Sequence, residues 1–543
     1  MATSDSSVDA DADAFLAQAH QRLRQAVAAR GDSTEPAPAV LARALSALPR
    51  AGQPEFLEGR GPKAALSHIL DTIVPALNGQ ALSGRYLGFV TGGILPVAEA
   101  ADNIVSALDQ NLGVHLPAHS AGTAVEHAAL GMLVALLDLG DDAAWPGRTF
   151  TTGATASNIL GLACGREAVI AARFKSAAAA ASSTMPAPAP VTVAEAGLLA
   201  ACQAAGVREI QVLTSMAHSS LVKAASVLGL GHAAVKELPA SADEPWRLDL
   251  DAVERELARD PAVASIIAVS AGEVNTGRFA TNALDMPKLR SLANRYGAWL
   301  HVDGAFGIFA RALPQTDEFL SLRANTAGLE LADSITADGH KLLNVPYDAG
   351  IFLCRDAAIQ TQVFSNPNAA YLATPPPAPT NKTATTTPTT TPIHSPLNMG
   401  LENSRRFRAL PVYATLLSAG RAGTAEMLAR MVRLARAVAG FVRDSPDYEW
   451  LPDPNAPLES THIIVLFRAR NAALNEVLVD RVNATRALFV SGTSWAGRKA
   501  ARIAVSSWRV DVDADFAVIK RVLTTLAAEA NAAAAVGEAV SAS

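Results

Sequence analysis

Between residues 85 and 371 short apolar, β-rich runs alternate with runs of helical periodicity, and this alternation constrains the fold more than any other feature. "REIQVLTS" (208–215) and "VASIIAVSAG" (263–272) precede the helix-like "LDMPKLRSLANRYG" (284–297), after which come "AWLHVDG" (298–304), "LADSITADG" (331–339) and "AGIFLCR" (349–355). Strand, helix, strand at this spacing is the pattern of βαβ units. Near-continuous apolar runs are what strands covered on both faces of a parallel sheet require. An α/β fold with a mostly parallel sheet is therefore expected over 85–371.

The flanks differ in texture. Residues 1–84 carry helical periodicity ("AFLAQAHQRLRQAVAA", "AVLARALSAL") broken by Pro and Gly, as in an N-terminal helical arm. Residues 372–397, "LATPPPAPTNKTATTTPTTTPIHSPL", are rich in Pro and Thr and nearly free of apolar residues, and predict a flexible loop. Helical periodicity then resumes, and "THIIVLFRA" and "ARIAVSSW" read as strands, so 398–535 is expected to form a smaller C-terminal α/β domain, with 536–543 as a tail.

With 543 residues, 50% of them hydrophobic, the chain can bury a large core. A formal net charge of -6 without a Lys/Arg cluster gives no footprint for nucleic acid or an anionic membrane, which leaves a small molecule as the expected partner. Cys164, Cys202 and Cys354 are widely spaced in apolar surroundings and predict reduced thiols rather than a disulfide framework or a metal site. The acidic "MATSDSSVDADADAF" is unlike a signal peptide, and no run of about 18 apolar residues occurs, so a soluble, cytoplasmic protein is expected.

In an open parallel sheet, residues just past the carboxyl ends of strands share one rim, where such folds build their sites. Asp303, Lys341 and His218 each follow a strand-like run. Each also has a plain reading: Lys341 as a solvated lysine at a helix start, Asp303 as a helix N-cap. The stretch "RTFTTGATASNILGLACGRE" (148–167) is a strand, a small-residue turn and a long helix. It reads either as a capped helix or as a phosphate nest of backbone N–H groups. An amine, a carboxylate, an imidazole and a phosphate nest together point to pyridoxal phosphate. Lysine would join the aldehyde, and an aspartate would keep the pyridine nitrogen protonated, making the ring an electron sink.

These motifs carry a resemblance. "HVDGAFG" is similar to HVDAAxGG, "DGHKLLNVP" to xxHKxxxxP and "AHSS" to AHxS, motifs of the group II pyridoxal-phosphate-dependent amino-acid decarboxylases. That family includes aromatic-amino-acid, glutamate, histidine and diaminobutyrate decarboxylases. The resemblance implies the aspartate-aminotransferase fold (fold type I), a homodimer, and decarboxylation of an L-amino acid through a Lys341 Schiff base and a quinonoid intermediate. Oxidative aldehyde formation, aldol-type cleavage and a non-catalytic relative remain as alternatives. It further implies Lys341 as the Schiff-base lysine, Asp303 as partner of the pyridinium nitrogen, His218 and Ala305 on the two faces of the ring, Ala154 and Thr155 at the phosphate, and His340 assisting. Arg406, in "ENSRRFRAL", is the implied partner of the substrate carboxylate. Three positions depart from the family pattern. Asp338 stands where Asn is common, and Glu273, in "GEVNTG", stands where a neutral residue near the substrate is usual. After Tyr371 no tyrosine occurs until Tyr413, so the mobile loop lacks its usual proton-donating tyrosine.

Overall fold

The computed structural model describes residues 5–53, 56–180, 189–366 and 392–542. In chain order the strands are β1 (86–87), β2 (147–151), β3 (209–214), β4 (235–237), β5 (263–270), β6 (299–303), β7 (334–338), β8 (350–354), β9 (448–451), β10 (464–469), β11 (489–495) and β12 (498–504). Seven form the large sheet, in the order β2-β8-β7-β6-β5-β3-β4. Neighbours from β7 through β4 are parallel, and β8 runs against both β2 and β7, so it is the one reversed strand of that sheet.

The apolar runs become strands because both of their faces are covered. In β5, Ile267 and Val269 face one core cluster with Leu300 and Val302, while Ile266 and Ala268 face another with Leu160, Trp299 and Phe352. This is the two-residue period of a pleated strand buried on both sides. Parallel neighbours need crossovers, which helices Ser219–Val227, Leu250–Ala258 and Asp285–Tyr296 supply. Asp285–Tyr296 buries Met286, Leu289 and Ala293, spaced to share one helix face.

β9 to β12 form an antiparallel second sheet, and β1 joins its edge in parallel with β11 through Tyr86↔Phe489 and Leu87↔Val490. Residues read from the sequence as the opening of the large sheet thus belong to the smaller one, because their partner strand lies some four hundred residues away. Helix Ala409–Asp444, interrupted at Gly420 (φ 56°, ψ -166°), packs on β9 and β10 of the second sheet, and one continuous core contains Leu300, Val432 and Phe467. Most of the Pro/Thr tract, with Tyr371, falls outside the described residues, whereas Pro396 and Leu397 at its end are buried in a short helical turn. Helix Val512–Ala542 runs through the expected tail, as its alanine content favours. Among the described residues no helix is long and apolar enough to cross a membrane.

Helix Ala154–Ala180 lies across β5 to β8. Its approach to the sheet depends on Gly161, where a Cβ would stand 2.4 Å from His301 Cε1. Gly161→Ala is expected to displace the buried imidazole and to lower stability by about 1–3 kcal/mol, the usual cost of overpacking, read as a lower urea midpoint. An unchanged midpoint would show that the helix can move away from β6 without loss.

Candidate active site

β3, β5, β6 and β7 point the same way, and β2 shares their direction because both it and β7 oppose β8. Their carboxyl ends consequently meet on one rim. There a cavity of about 480 Å³ is lined by Ala154, Thr155, His218, Asp303, Ala305, His340 and Lys341. Arg406 lies elsewhere. It pairs with Asp102 at 2.8 Å and donates to Ser106 Oγ at 3.1 Å, while its neighbour Arg405 is buried on Glu126 at 2.8 Å. The paired arginines brace the segments before β2 instead of reaching the rim.

One buried network orients the Asp303 end. Trp299 Nε1 donates to Ser334 Oγ (2.9 Å), whose hydroxyl donates to His301 Nδ1 (2.8 Å). The remaining ring proton of a neutral His301 sits on Nε2 and goes to Asn158 Oδ1 (3.0 Å). Asn158 Nδ2 spends its two hydrogens on Asp303 Oδ2 (2.8 Å) and Ser220 Oγ (3.1 Å). Ser220 in turn donates to His218 Nδ1 (2.7 Å), which also accepts the Ser220 backbone N–H and so caps helix Ser219–Val227. Every N–H and O–H donor named in this network has its acceptor. Asp303 Oδ1 accepts from Ala305 N at 3.3 Å, so the aspartate is held by the network and its own turn and does not cap a helix.

Lys341 is held differently. Its Nζ lies 2.9 Å from Asp338 Oδ2 and 6.0 Å from the centre of the Phe306 ring. Asp338, the departure beside the expected phosphate turn, thus has a cationic partner. His340 Nδ1 accepts from Ala349 N (3.2 Å), which leaves its proton on Nε2, 3.7 Å from the same Asp338 oxygen. Tyr347 stacks on His340 with ring centres 4.3 Å apart. At Gly92 (φ 64°) a Cβ would stand 2.2 Å from the Lys341 carbonyl oxygen, so a loop from the N-terminal side presses directly on the lysine backbone.

Burial governs the ionisation of the imidazoles. Desolvation lowers the pKa of His218 and of His340 against the opposing pull of Asp303 and Asp338 respectively, and it lowers that of the fully buried His301 to about 4.

Some residues were not singled out from the sequence. Arg502 in β12 reaches the cavity from the other sheet, donating through Nε to Val274 O and through one terminal nitrogen to Phe89 O (2.8 Å). Among the described residues its other terminal nitrogen is buried without a partner, and burial, eased by Glu273, brings its pKa down to about 10. An arginine flanked by apolar residues within "AARIAV" was the available signal. Glu273 itself does not line the cavity. Its carboxylate accepts from Asn275 N, Thr276 N and Thr276 Oγ1, each at 2.8 Å, and is consumed in holding its own turn.

A doubly covered α/β sheet with a lysine, an aspartate and a helix-opening turn around one cavity defines an enzyme of the aspartate-aminotransferase fold type. The chain belongs to the pyridoxal-dependent decarboxylases: the family's "Pyridoxal-dependent decarboxylase conserved domain" matches residues 97–470. It is 27% identical over 354 residues to L-2,4-diaminobutyrate decarboxylase of Acinetobacter baumannii, covering 64% of this chain and 61% of that relative. To the L-2,4-diaminobutyrate decarboxylase of Rhizobium meliloti (strain 1021) it is 26% identical over 482 residues, 85% of this chain and 76% of that one. The crystal structure of Oryza sativa TDC with PLP and tryptamine superposes with a TM-score of 0.74 at 20% identity, over 96% of this chain and 98% of that one, a likeness of fold.

The residues present fit pyridoxal phosphate. The donor set offers an amine, a carboxylate fixed at both oxygens, an imidazole wall and a turn opening a long helix, all on one cavity. Among the described residues, Asp338 Oδ1 and an Arg502 nitrogen at this cavity are buried without hydrogen-bond partners, orphaned polar atoms that a ligand could satisfy.

The depressed pKa of His301 carries a sign for stability. Unfolded, the imidazole takes up a proton near its ordinary value of 6.5; folded, it does so only near 4. Between those values the unfolded state binds the extra proton, so stability falls with falling pH, by about 3 kcal/mol once both limits are passed. Urea midpoints should drop between pH 7 and 4.5, less steeply in His301→Gln. Parallel slopes in the two proteins would remove His301 from the account.

Proposed function

We propose that the protein decarboxylates an L-amino acid, with pyridoxal phosphate held in this cavity. The observation that carries this reading is the placement of Lys341 and Asp303 on one cavity, each fixed by its own partners. When bound, pyridoxal phosphate supplies a protonated ring conjugated to the nitrogen of Lys341, a sink for the electron pair left by a breaking bond. The Asp303 carboxylate, held by the Asn158 N–H, would sit at the ring nitrogen and accept its proton's hydrogen bond. His218, neutral and anchored at Nδ1, presents a flat wall. The backbone N–H groups at Ala154 and Thr155, at the start of the helix, would hold the phosphate. Arg502 offers its unpartnered nitrogen to the substrate carboxylate.

A homodimer is part of this proposal. Phe89, at the cavity, and Leu108 and Leu417 elsewhere are each more than half exposed, surface that a second copy would cover. Light scattering should give twice the chain mass, and a single chain mass for the active protein would reject it.

The cofactor reading is tested by absorbance and by product. Wild type should show a visible lysine–cofactor band that borohydride abolishes, and Lys341→Ala should lack the band. Asp303→Asn should fold and bind cofactor yet lose at least about a hundredfold in carbon dioxide release, since a neutral amide cannot hold the ring proton. Near-normal release from Asp303→Asn, or a persistent band in Lys341→Ala, would refute the assignment.

A further inference from the structure

Asn344 is fully buried and has a left-handed backbone (φ 55°), two positions past the four-residue helix Gly339–Leu342 that carries Lys341. Asparagine tolerates that conformation better than most residues with a side chain, so it can end the lysine turn there, and glycine would serve that purpose equally well. The carboxamide does what glycine could not. Its Oδ1 accepts from Gly93 N (2.7 Å) and Trp508 N (2.8 Å), while Nδ2 donates one hydrogen to Ser506 O (3.0 Å) and shares the other between Leu342 O (3.2 Å) and Lys341 O (3.4 Å). Backbone donors on one side and backbone carbonyls on the other leave only this orientation of the amide.

Three segments distant in sequence therefore meet at one side chain: the turn bearing Lys341, the loop at 92–95 and the residues just past β12. They also bond to one another. Gly92 N donates to Ser506 Oγ (3.2 Å), Trp508 Nε1 to Ile94 O (2.8 Å) and Leu95 N to the Asn344 carbonyl (2.9 Å). The close approach depends on two missing Cβ atoms, since one at Gly92 would stand 2.2 Å from Lys341 O and one at Gly93 3.1 Å from Asn344 Oδ1. The same loop is held at its other end by Arg502, through Phe89 O at 2.8 Å. The Lys341 main chain is thus pressed by Gly92 and hydrogen-bonded by Asn344.

We infer that Asn344 is a positioning residue for Lys341: its carboxamide fixes the lysine's main chain where the amine can reach and join the cofactor aldehyde. The inference rests on the cofactor reading of this site. It concerns the backbone of the lysine turn, whatever the Lys341 amine pairs with. In the joining step the amine nitrogen bonds to the aldehyde carbon, and the carbonyl oxygen leaves as water with both amine hydrogens, so no further reactant is needed. A buried amide whose donors and acceptor are all used has one arrangement, and displacing a reacting group by about 1 Å costs on the order of a hundredfold. A residue that merely holds the fold together would serve any occupant of the cavity alike, whereas one that positions Lys341 matters only to a ligand that joins the lysine.

The test compares two ligands on the full-length protein freed of cofactor, as wild type and as Asn344→Gly. Pyridoxal phosphate has the aldehyde that joins lysine; pyridoxamine phosphate has the same ring and phosphate and no aldehyde. Glycine keeps the left-handed backbone and removes only the carboxamide. Fluorescence titration should give a dissociation constant about tenfold or more higher for pyridoxal phosphate in the variant, and an unchanged one for pyridoxamine phosphate. A rise in both constants, in that for pyridoxamine phosphate alone or in neither would overturn the inference while leaving the cofactor reading intact. A wild type that forms no borohydride-trappable link at Lys341 would overturn both. If Asn344→Gly does not fold, Gly93→Ala, which brings a methyl against Asn344 Oδ1, gives the same comparison: a loss confined to pyridoxal phosphate supports the placement, and an equal loss for both ligands or none rejects it.

Discussion

The carboxamide of Asn158 is the interaction on which the site depends. It is wholly buried, so each of its polar atoms must be satisfied by protein, and its three hydrogen bonds run to a strand, a helix cap and the central aspartate. Because an amide has two donors and one acceptor, its orientation dictates the others. His301 must donate, Asp303 must accept, and Ser220 must turn its own hydrogen to His218. One side chain in the first turns of a long helix thereby fixes both the orientation of Asp303 and the tautomer of His218. Ser334 and Trp299 extend the same order across to β7. Partly satisfied networks of this kind are costly and fully satisfied ones are rigid, which suits a site that must hold a flat group between fixed partners.

Much of this was legible in the sequence because it is local. A buried strand shows as an apolar run, and the polar residue that ends it shows as an interruption, so Asp303, Lys341, His218 and the turn at 153–155 could be read directly. Parallel pairing then brings those interruptions to one rim without any further information. What could not be read is long-range. Tyr86 and Leu87 pair with strands near residue 490, and Arg502 reaches the rim only because the second sheet folds against the first. Arg406 matched a family segment, but the neighbouring helix claims its charge through Asp102. Glu273 shows the same limit in another form, since an acid near a site by position was spent on its own turn by hydrogen bonds the sequence does not display.

The two sheets are joined at the cavity by polar contacts as well as by the shared core. Thr493 Oγ1 donates to Asn275 Oδ1 at 2.8 Å, and Arg502 donates to Val274 O, so the loop after β5 is tied to the second sheet on two sides. Glu273 keeps that loop in the shape these contacts need. Asn344 supplies a further tie, its Oδ1 accepting from Gly93 N and Trp508 N just beyond the lysine turn. Movement of the small sheet would be felt at Lys341 and at Arg502 together, and the cavity is built as a junction between the two sheets.

Arg502 also bears on how the proposed reaction is driven. Two of its three nitrogens are committed to backbone carbonyls, which leaves one terminal nitrogen for a carboxylate. A forked two-bond grip would stabilise most strongly the group that has to leave, and binding that favours the ground state as much as the transition state does not raise the rate. As proposed, a single hydrogen bond from Arg502 would orient the carboxylate while leaving part of its charge in a cavity walled by Phe89, Val90 and Phe306. Loss of carbon dioxide would relieve that poorly solvated charge and pass the electron pair to the cofactor, with Asp303 placed at its ring nitrogen. So arranged, the site would position the carboxylate and withhold full solvation from it, as breaking the bond to that group requires.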